Sequence, residues 1–589
     1  MQKNDIVTLE IVDQSADGSG IGKVTGGSAQ DGPAMTFFVK DALVGDQVRA
    51  KIIKMKKSYG YARLLELLKP SPDRVEPVCP VHRQCGGCQI QALSYEKQLE
   101  YKYHKIRNHL VRIGGFSPEQ IPLEPVIGMP GAASQKTGTQ EMDIPGGFRY
   151  RNKAQFPIGR DRNGKLAAGF YAARTHAIIP VEDCYLGVPQ NREVISRVLA
   201  WMEQYQIEPY DEKSGTGLVR HVLVRYGFRS GQLMVCLIVN GTKVPKAADL
   251  VDRLAAIKGM TSISLNVNEQ RTNVILGDVV KTLWGADVIE DSIGNVTFQI
   301  SPLSFYQVNP VQTEVLYGKV MEFAGLDGKE IVWDLYCGIG TISLFLAQRA
   351  KKVYGIEIVP QAVEDAKRNA GINGIENVEF FVGQAEDVLE KLCGDKTDVA
   401  GVECRDGRID EINGLDEDWR PQVVVVDPPR KGCGEKLLEA ILKVSPERVV
   451  YVSCDSATLA RDLKVLCGEG YEIVKAQGIE MFCQTVHVET VVQLSLKKDA
   501  PKIEIIMQPD EESNYTPAEK ATCQKIKEYV KEKHGLNVSS LYIAQVKEKC
   551  GLDKRDNYNF PKSENAKVPK CTPEKEAALK DAFRHFGMI

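Results

Sequence analysis

"EIVWDLYCGIGTISLFLAQRAKKVYGIEI" (330–358) reads as a strand, a glycine turn, a helix and a second strand. Gly338 and Gly340 let the backbone turn tightly where a ligand must approach, and the helix that follows offers free N–H groups. Glu357 ends the second strand about twenty residues on, where an acidic side chain can bind a ribose diol. A dinucleotide site shares these features. Here, however, the glycines do not follow the phosphate-cradling G-x-G-x-x-G order. Asp334 at the head of the turn suits a donor that carries an amino-acid tail and no pyrophosphate, which is S-adenosylmethionine. "VVVVDPPRKG" (423–432) supports this reading. Four valines make a buried parallel strand, and Asp-Pro-Pro closes it at the carboxyl edge, where open α/β sheets bind ligands. Amino-group methyltransferases follow such prolines with an aromatic ring. Arg430 stands there instead, which disfavours N-methylation and suits a phosphate or a carbonyl oxygen.

Outward from these stretches, residues 301–497 alternate strand and helix, which predicts a parallel, doubly wound α/β sheet. The acidic stretch 392–419 has no apolar period and is expected to be an inserted loop. Residues 71–300 read as a mixed α+β region, with strands in "GLVRHVLVRYG", "QLMVCLIVNG" and "MTSISLNVN", a polar helix at 94–114 and a Gly/Ser/Thr-rich surface loop at 128–147. Residues 1–70 alternate apolar and polar between Gly and Asp turns, the pattern of a small barrel. From Lys40 to Arg74 there are nine Lys or Arg against four Asp or Glu, with Tyr59 and Tyr61 among them. Such a surface suits single-stranded RNA, and a merely solvated barrel face fits the same pattern. Residues 498–589 form an appendix of three helices around an Asn/Pro/Lys-rich loop.

Composition narrows the class. The 589 residues are 43% hydrophobic and 26% charged, ordinary for a globular protein and too many for one core. A net charge of −3 means that any nucleic-acid surface is local. The first residues show no basic-then-apolar export pattern and no run is long enough to span a bilayer, so a cytoplasmic protein is expected, with a monomer as the default. Fifteen cysteines, an odd number, argue against a disulfide framework.

"DLYCGIGTISL", "DPPRKG", "YVSCDSATLARD" (451–462) and "FYQVN" (305–309), in this chain, together resemble the uracil-C5 RNA methyltransferases that act on 23S rRNA. The resemblance covers roughly residues 1–497. It implies a Rossmann-like class I methyltransferase with an N-terminal TRAM-like (OB-like) β-barrel that binds RNA. By motif match it implies that Cys454 is the nucleophile and Glu489 the general base, with His487 beside it. It further implies that Gln307, Tyr336, Glu357 and Asp427 bind S-adenosylmethionine, with Asn309 and Asp334 as secondary candidates. The chemistry fits these types. Uracil C5 is a poor nucleophile until a thiolate adds to C6, and its proton must afterwards be removed so that the thiol can leave. The N-terminus of the helix after Cys454 is expected to favour the thiolate. The target base must also flip out of its stack. The related tRNA T-loop enzymes generally lack the barrel and the cysteine cluster, which points to rRNA as the partner. A non-catalytic ribosome-assembly factor would not need Cys454, Glu489 and Asp427, and cytosine-C5 methylation lacks its second cysteine beside the prolines.

Cys79, Cys85 and Cys88 pack three thiols into a glycine-containing loop, and Cys184 in "PVEDCYLG" (180–187) matches the family's fourth ligand. Three close cysteines plus one distant one suit a closed [4Fe–4S] cluster, with four-thiolate zinc or free thiols as the alternatives.

Overall fold

Alternating apolar residues in the first seventy positions close a barrel. The computed structural model describes residues 1–24, 35–130, 147–172, 175–393, 419–497, 523–536, 538–550 and 571–586. Strands Ile6–Gln14, Gly20–Val24, Thr36–Lys40, Gln47–Met55 and Tyr59–Lys69 form the barrel, with the last inserted between the third and fourth. Leu9, Ile11, Phe37, Val39, Val48 and Ile52 point inward and fill it.

In the central region, Val219–Tyr226, Leu233–Val239 and Met260–Val267 are adjacent strands of a seven-stranded sheet. Helices Gln190–Gln204 and Ala247–Ala255 cover one face, where Val222, Val224, Val235 and Leu237 meet Val198, Trp201 and Leu250. These three strands fall within the stretches read as strands from the sequence.

The third sheet has eight strands. Their order is Val378–Val382, Lys352–Glu357, Ile331–Asp334, Val423–Val426, Arg448–Ser453, Glu489–Leu496, Tyr471–Ile479 and Leu123–Ile127. The first five are parallel. Glu489–Leu496 runs antiparallel to both its neighbours. Successive strands are laid down outward from Ile331–Asp334 and then from Val423–Val426, so the order reverses between these two. Ligands bind at the carboxyl ends beside such a reversal. Val423 to Val426 are fully buried, each stabilising the sheet by roughly 1.5–3 kcal/mol.

Two pieces of the stretch read as central belong to this third sheet. Leu123–Ile127 pairs in parallel with Tyr471–Ile479, and helix Tyr95–His109 shares a core through Ile106 with Trp333 and Tyr451. That helix reads as polar because its buried stripe is Gln98, Lys102 and Ile106, two of them hydrophilic.

Residues 501–589 form a separate unit. Its helices are Cys523–His534, Ser540–Lys549 and Pro573–His585, joined by Ile526, Val530, Ile543, Leu579 and Phe583. These are the three expected helices. Most of the expected loops at 128–147 and 392–419, and of the loop between the last two helices, lies outside the described residues; Leu392 and Cys393 instead end helix Ala385–Cys393. Among the described residues no helix is long and apolar enough to cross a membrane.

Candidate active site

The turn after Ile331–Asp334 is built as its glycines require. Gly338 and Gly340 have φ of 54° and 83°, in the left-handed region that favours glycine. Asp334 is fully buried and accepts a 2.6 Å bond from Ser343 Oγ on the following helix. Its other oxygen has no partner, and burial lifts its carboxyl to about 6. Glu357 accepts from the backbone N–H of Gly338 (3.2 Å) and of Val359 (2.9 Å), which fixes the acid against the turn.

Beside this turn opens a cavity of about 1170 Å³. Gln307, Tyr336, Glu357, Asp427, Cys454 and Glu489 all line it. The six side chains come from six separate segments, so the fold brings together what the sequence spreads over 183 positions (307 to 489). Asn309 and Asp334 do not line it. Asn309 instead caps helix Pro310–Ala324, accepting from Gln312 N (3.2 Å) and donating to Met481 O (3.2 Å).

Cys454 follows strand Arg448–Ser453 directly. Asp455, its neighbour, is the N-cap of helix Ser456–Gly468 and accepts from Ala457 N (2.9 Å) and Thr458 N (3.4 Å). The helix therefore directs these N–H groups to Asp455. Contrary to expectation, the thiol is lifted to about 11 by burial and by the carboxylates of Glu489 and Asp427. Arg430 opposes this rise. The same helix clamps the Asp-Pro-Pro-Arg loop. Thr458 Oγ1 donates to Arg430 O (3.2 Å), Arg461 to Lys431 O (2.9 Å), and Asp462 accepts from Cys433 N (2.8 Å) and Tyr451 OH (2.6 Å).

Glu489 opens the antiparallel strand and is buried, with one carboxylate oxygen that has no partner. Burial raises its carboxyl well above the ordinary range, Asp427 raises it further and Arg430 pulls it back. Asp427 is raised in turn by burial and by Asp334. A buried carboxyl with a raised pKa and a free oxygen is suited to take up a proton. His487 lines the same cavity and is held down to about 4 by burial and by the cations around it. Sequence reasoning missed Phe305, Tyr317 and Phe482 in the wall. No local signal marks Tyr317 or Phe482, while Phe305 opens the "FYQVN" stretch.

The four cysteines also come together. Burial and the neighbouring thiols lift Cys88 to about 12 and raise Cys79 and Cys85, and Cys184 acts on all three. Cys88 and Cys184 pack with Phe148, Tyr150, Leu186 and Cys483. Among the described residues, no three His, Cys, Asp or Glu side chains converge as the ligands of one metal ion. On the barrel, Phe38 joins Tyr59 and Tyr61, with ring centroids 5.6 to 5.7 Å apart.

A family model described as tRNA (uracil-5-)-methyltransferase matches residues 282–497. An RNA methyltransferase of Halalkalibacterium halodurans, itself uncharacterized, is 47% identical over 498 residues, which is 84% of this chain and 98% of the relative. One of Clostridium tetani is 43% identical over 503 residues, covering 85% of this chain and 99% of the relative. The crystal structure of the Pyrococcus abyssi tRNA (uracil-54, C5)-methyltransferase with S-adenosyl-L-homocysteine is 26% identical at a TM-score of 0.60. The match covers 82% of this chain and 99% of that one. With the cavity at the sheet reversal and these relatives in agreement, the chain belongs to the RNA (uracil-5-)methyltransferase family and is an S-adenosylmethionine-dependent RNA methyltransferase.

Proposed function

We propose that the protein forms 5-methyluridine in 23S rRNA, in the cytoplasm, through a covalent bond between Cys454 Sγ and C6 of the target uracil. The observation that supports this is the shared cavity. It brings a thiol, a buried carboxyl with a free oxygen and an acid fixed against a glycine turn to the same space. Cys454 adds to C6 as the thiolate, and the electron pair displaced toward C5 makes that carbon nucleophilic. S-adenosylmethionine supplies the electrophilic methyl group when bound, and Gln307, Tyr336, Glu357 and Asp427 would hold it. Glu489 then takes the C5 proton, the C5–C6 double bond re-forms and Cys454 leaves. The raised thiol implies that the resting enzyme keeps Cys454 protonated, with Arg430 the cation that favours its ionisation.

A second reading keeps the chemistry and changes the RNA to the T-loop of tRNA. It is favoured by the Pyrococcus abyssi tRNA enzyme, whose match extends over 82% of this chain, well beyond the methyl-transfer sheet. That breadth weakens the expectation that tRNA enzymes are recognised by missing domains. Mapping 5-methyluridine in 23S rRNA and tRNA from cells with and without the gene separates the two. A modification lost from 23S rRNA alone supports the first reading; one lost from tRNA alone overturns it for the second.

Cys79, Cys85, Cys88 and Cys184 would hold a [4Fe–4S] cluster. Zinc draws four thiolates to about 3.8 Å from one another, from bonds of about 2.3 Å, whereas a four-iron cluster holds them farther apart. Three closely spaced thiols and a distant fourth that act on one another support the iron–sulfur reading. When bound, the cluster would join the 79–88 loop covalently to Cys184. Protein purified without oxygen should be brown and contain iron and sulfide. A colourless sample with stoichiometric zinc overturns the assignment.

A further inference from the structure

His487 stands where several elements converge. Arg430 follows the Asp-Pro-Pro turn and is exposed at the cavity that His487 and Cys454 also line. Lys105, half-buried on helix Tyr95–His109, donates a 2.8 Å bond to Val486 O, one residue before His487. Arg151 lies over the ring of Tyr150 at 5.9 Å, and Tyr150 OH donates to Cys483 O (3.1 Å) in the same segment. The charges of Arg430, Lys105, Lys102 and Arg151 all act on His487.

Among these cations Lys102 is already neutralised, because both oxygens of Glu480 accept from it. Arg430 and Lys105 form no ion pair with a described residue, whereas Arg151 faces the thiols of Cys88 and Cys184. Asp455 and Asp17 act on Lys105, but Asp455 accepts from two helix N–H groups and Asp17 accepts from Ser15 Oγ and Ser19 N, while burial raises the carboxyls of Glu489 and Asp427. Two cations from distant segments repel one another in a partly dry site unless an anion joins them.

We propose that Arg430 and Lys105 seat a backbone phosphodiester of the RNA, one that flanks the target uridine, with His487 beneath it. This deepens the proposed function and rests on it. Anchoring the backbone beside Cys454 would hold the flipped nucleotide against the thiol and leave the base face to Glu489. Arg430 is thereby given a second role besides its pull on the thiol. The residues proposed to read the phosphate are other than the four proposed to hold S-adenosylmethionine.

The test uses the full-length protein with its cysteine site loaded, and stem-loop RNAs carrying the uridine identified by mapping. One RNA is native; two others have a neutral methylphosphonate on the 5′ or the 3′ side of that uridine. The variants are Lys105→Gln, which can still donate to Val486 O, and Arg430→Gln, whose side chain is exposed. On native RNA each variant should bind about tenfold more weakly, the effect of one charge-assisted bond. The slope of log affinity against log salt should fall by about 0.7. Wild-type protein should lose a similar factor on one of the two methylphosphonate RNAs, and on that RNA the variants should lose little more. Losses that multiply on both modified RNAs, or an unchanged salt slope, overturn the phosphate seat. Retained S-adenosylmethionine binding by the variants shows that they are folded. A 5-fluorouridine version of the native RNA reads the chemistry separately, since fluorine at C5 blocks the final elimination and traps the Cys454 adduct. No trapped adduct in the wild type counts against the covalent mechanism, whichever way the phosphate test falls.

Discussion

Replacing Lys102 by methionine should destabilise the sheet that carries the catalytic residues, and by an amount that depends on pH. Lys102 and Glu480 are both fully buried. The three donors of the ammonium are all used, on Glu480 Oε1 (2.5 Å), Glu480 Oε2 (2.7 Å) and Phe482 O (3.1 Å). Methionine has similar volume and no donor, so it leaves a carboxylate and a carbonyl without this partner. Removing one member of a buried pair costs about 3–5 kcal/mol. A second route to the magnitude agrees. The stranded Glu480 can escape its charge by protonation, which at pH 7 costs about 3.7 kcal/mol for a carboxyl whose unfolded pKa is about 4.3. Burial already pushes the Glu480 carboxyl upward, with Lys102 as the largest opposing influence. Without Lys102 its folded pKa rises further above the unfolded value. The penalty therefore grows as pH rises through this window and shrinks as pH falls. Between pH 7 and pH 5 the deficit against wild type should diminish by up to about 2.7 kcal/mol, less whatever the raised Glu480 carboxyl of the wild type itself contributes. Urea unfolding followed by the fluorescence of Trp333, buried in this sheet, measures it. Lys102→Met/Glu480→Leu should recover most of the loss, because the stranded charge is gone. A deficit below about 1 kcal/mol, or one that is flat from pH 5 to 7, refutes the reasoning. The segment at stake carries Phe482 and His487 and ends at Glu489, so the single variant should also turn over more slowly.

With Cys454→Ala, no RNA adduct and no methyl transfer should be detected; with Glu489→Gln, a methylated adduct linked through Cys454 should survive denaturing electrophoresis. Normal turnover by Glu489→Gln removes it from the role of base. Asp427→Asn takes away the carboxylate that raises Glu489, so the alkaline-going limb of adduct breakdown should move to lower pH, and Arg430→Gln should move it to higher pH. Limbs that stay in place would mean that another group accepts the proton. On the barrel, Tyr59→Ala should weaken binding of unpaired RNA by about 1–3 kcal/mol, and Lys56→Gln with Lys57→Gln should flatten its salt dependence. Point changes are preferred to removal of residues 1–70, because Leu43 and Val486 share a buried cluster with Ile90 and truncation would uncover it.

What is legible in the sequence here is what is decided within a few neighbouring residues. The turn at Gly338 and Gly340, the valine strand before Asp427 and the three strands of the central sheet each carry their signal in their own period and their own turn residues. The helix at Tyr95–His109 shows the limit. Its period is helical, yet its buried stripe is made of Gln98 and Lys102, whose partners Gln484 and Glu480 lie 386 and 378 residues away. Seen alone, such a stripe is a solvated face; only the closure of the long loop turns it into an interior. The same distance hides the electrostatics of Cys454. From its own stretch the thiol stands at a helix N-terminus and should ionise easily. Asp455, one residue on, takes N–H groups from that terminus, and Glu489 and Asp427 arrive from elsewhere to oppose the thiolate. Side chains near a reacting thiol can thus have opposite effects before and after substrate binds. Two acids that oppose a resting thiolate also provide the base that the last step requires, and the high resting pKa guards the nucleophile until the RNA is in place. Arg430, the one group acting against both shifts, is where a bound phosphate would be felt first. If a phosphodiester does neutralise Arg430, the thiol loses its only named cationic support just as the target base arrives. Ionisation would then need a proton acceptor other than Glu489, because a carboxyl that had taken the thiol's proton could not also take the C5 proton in the last step.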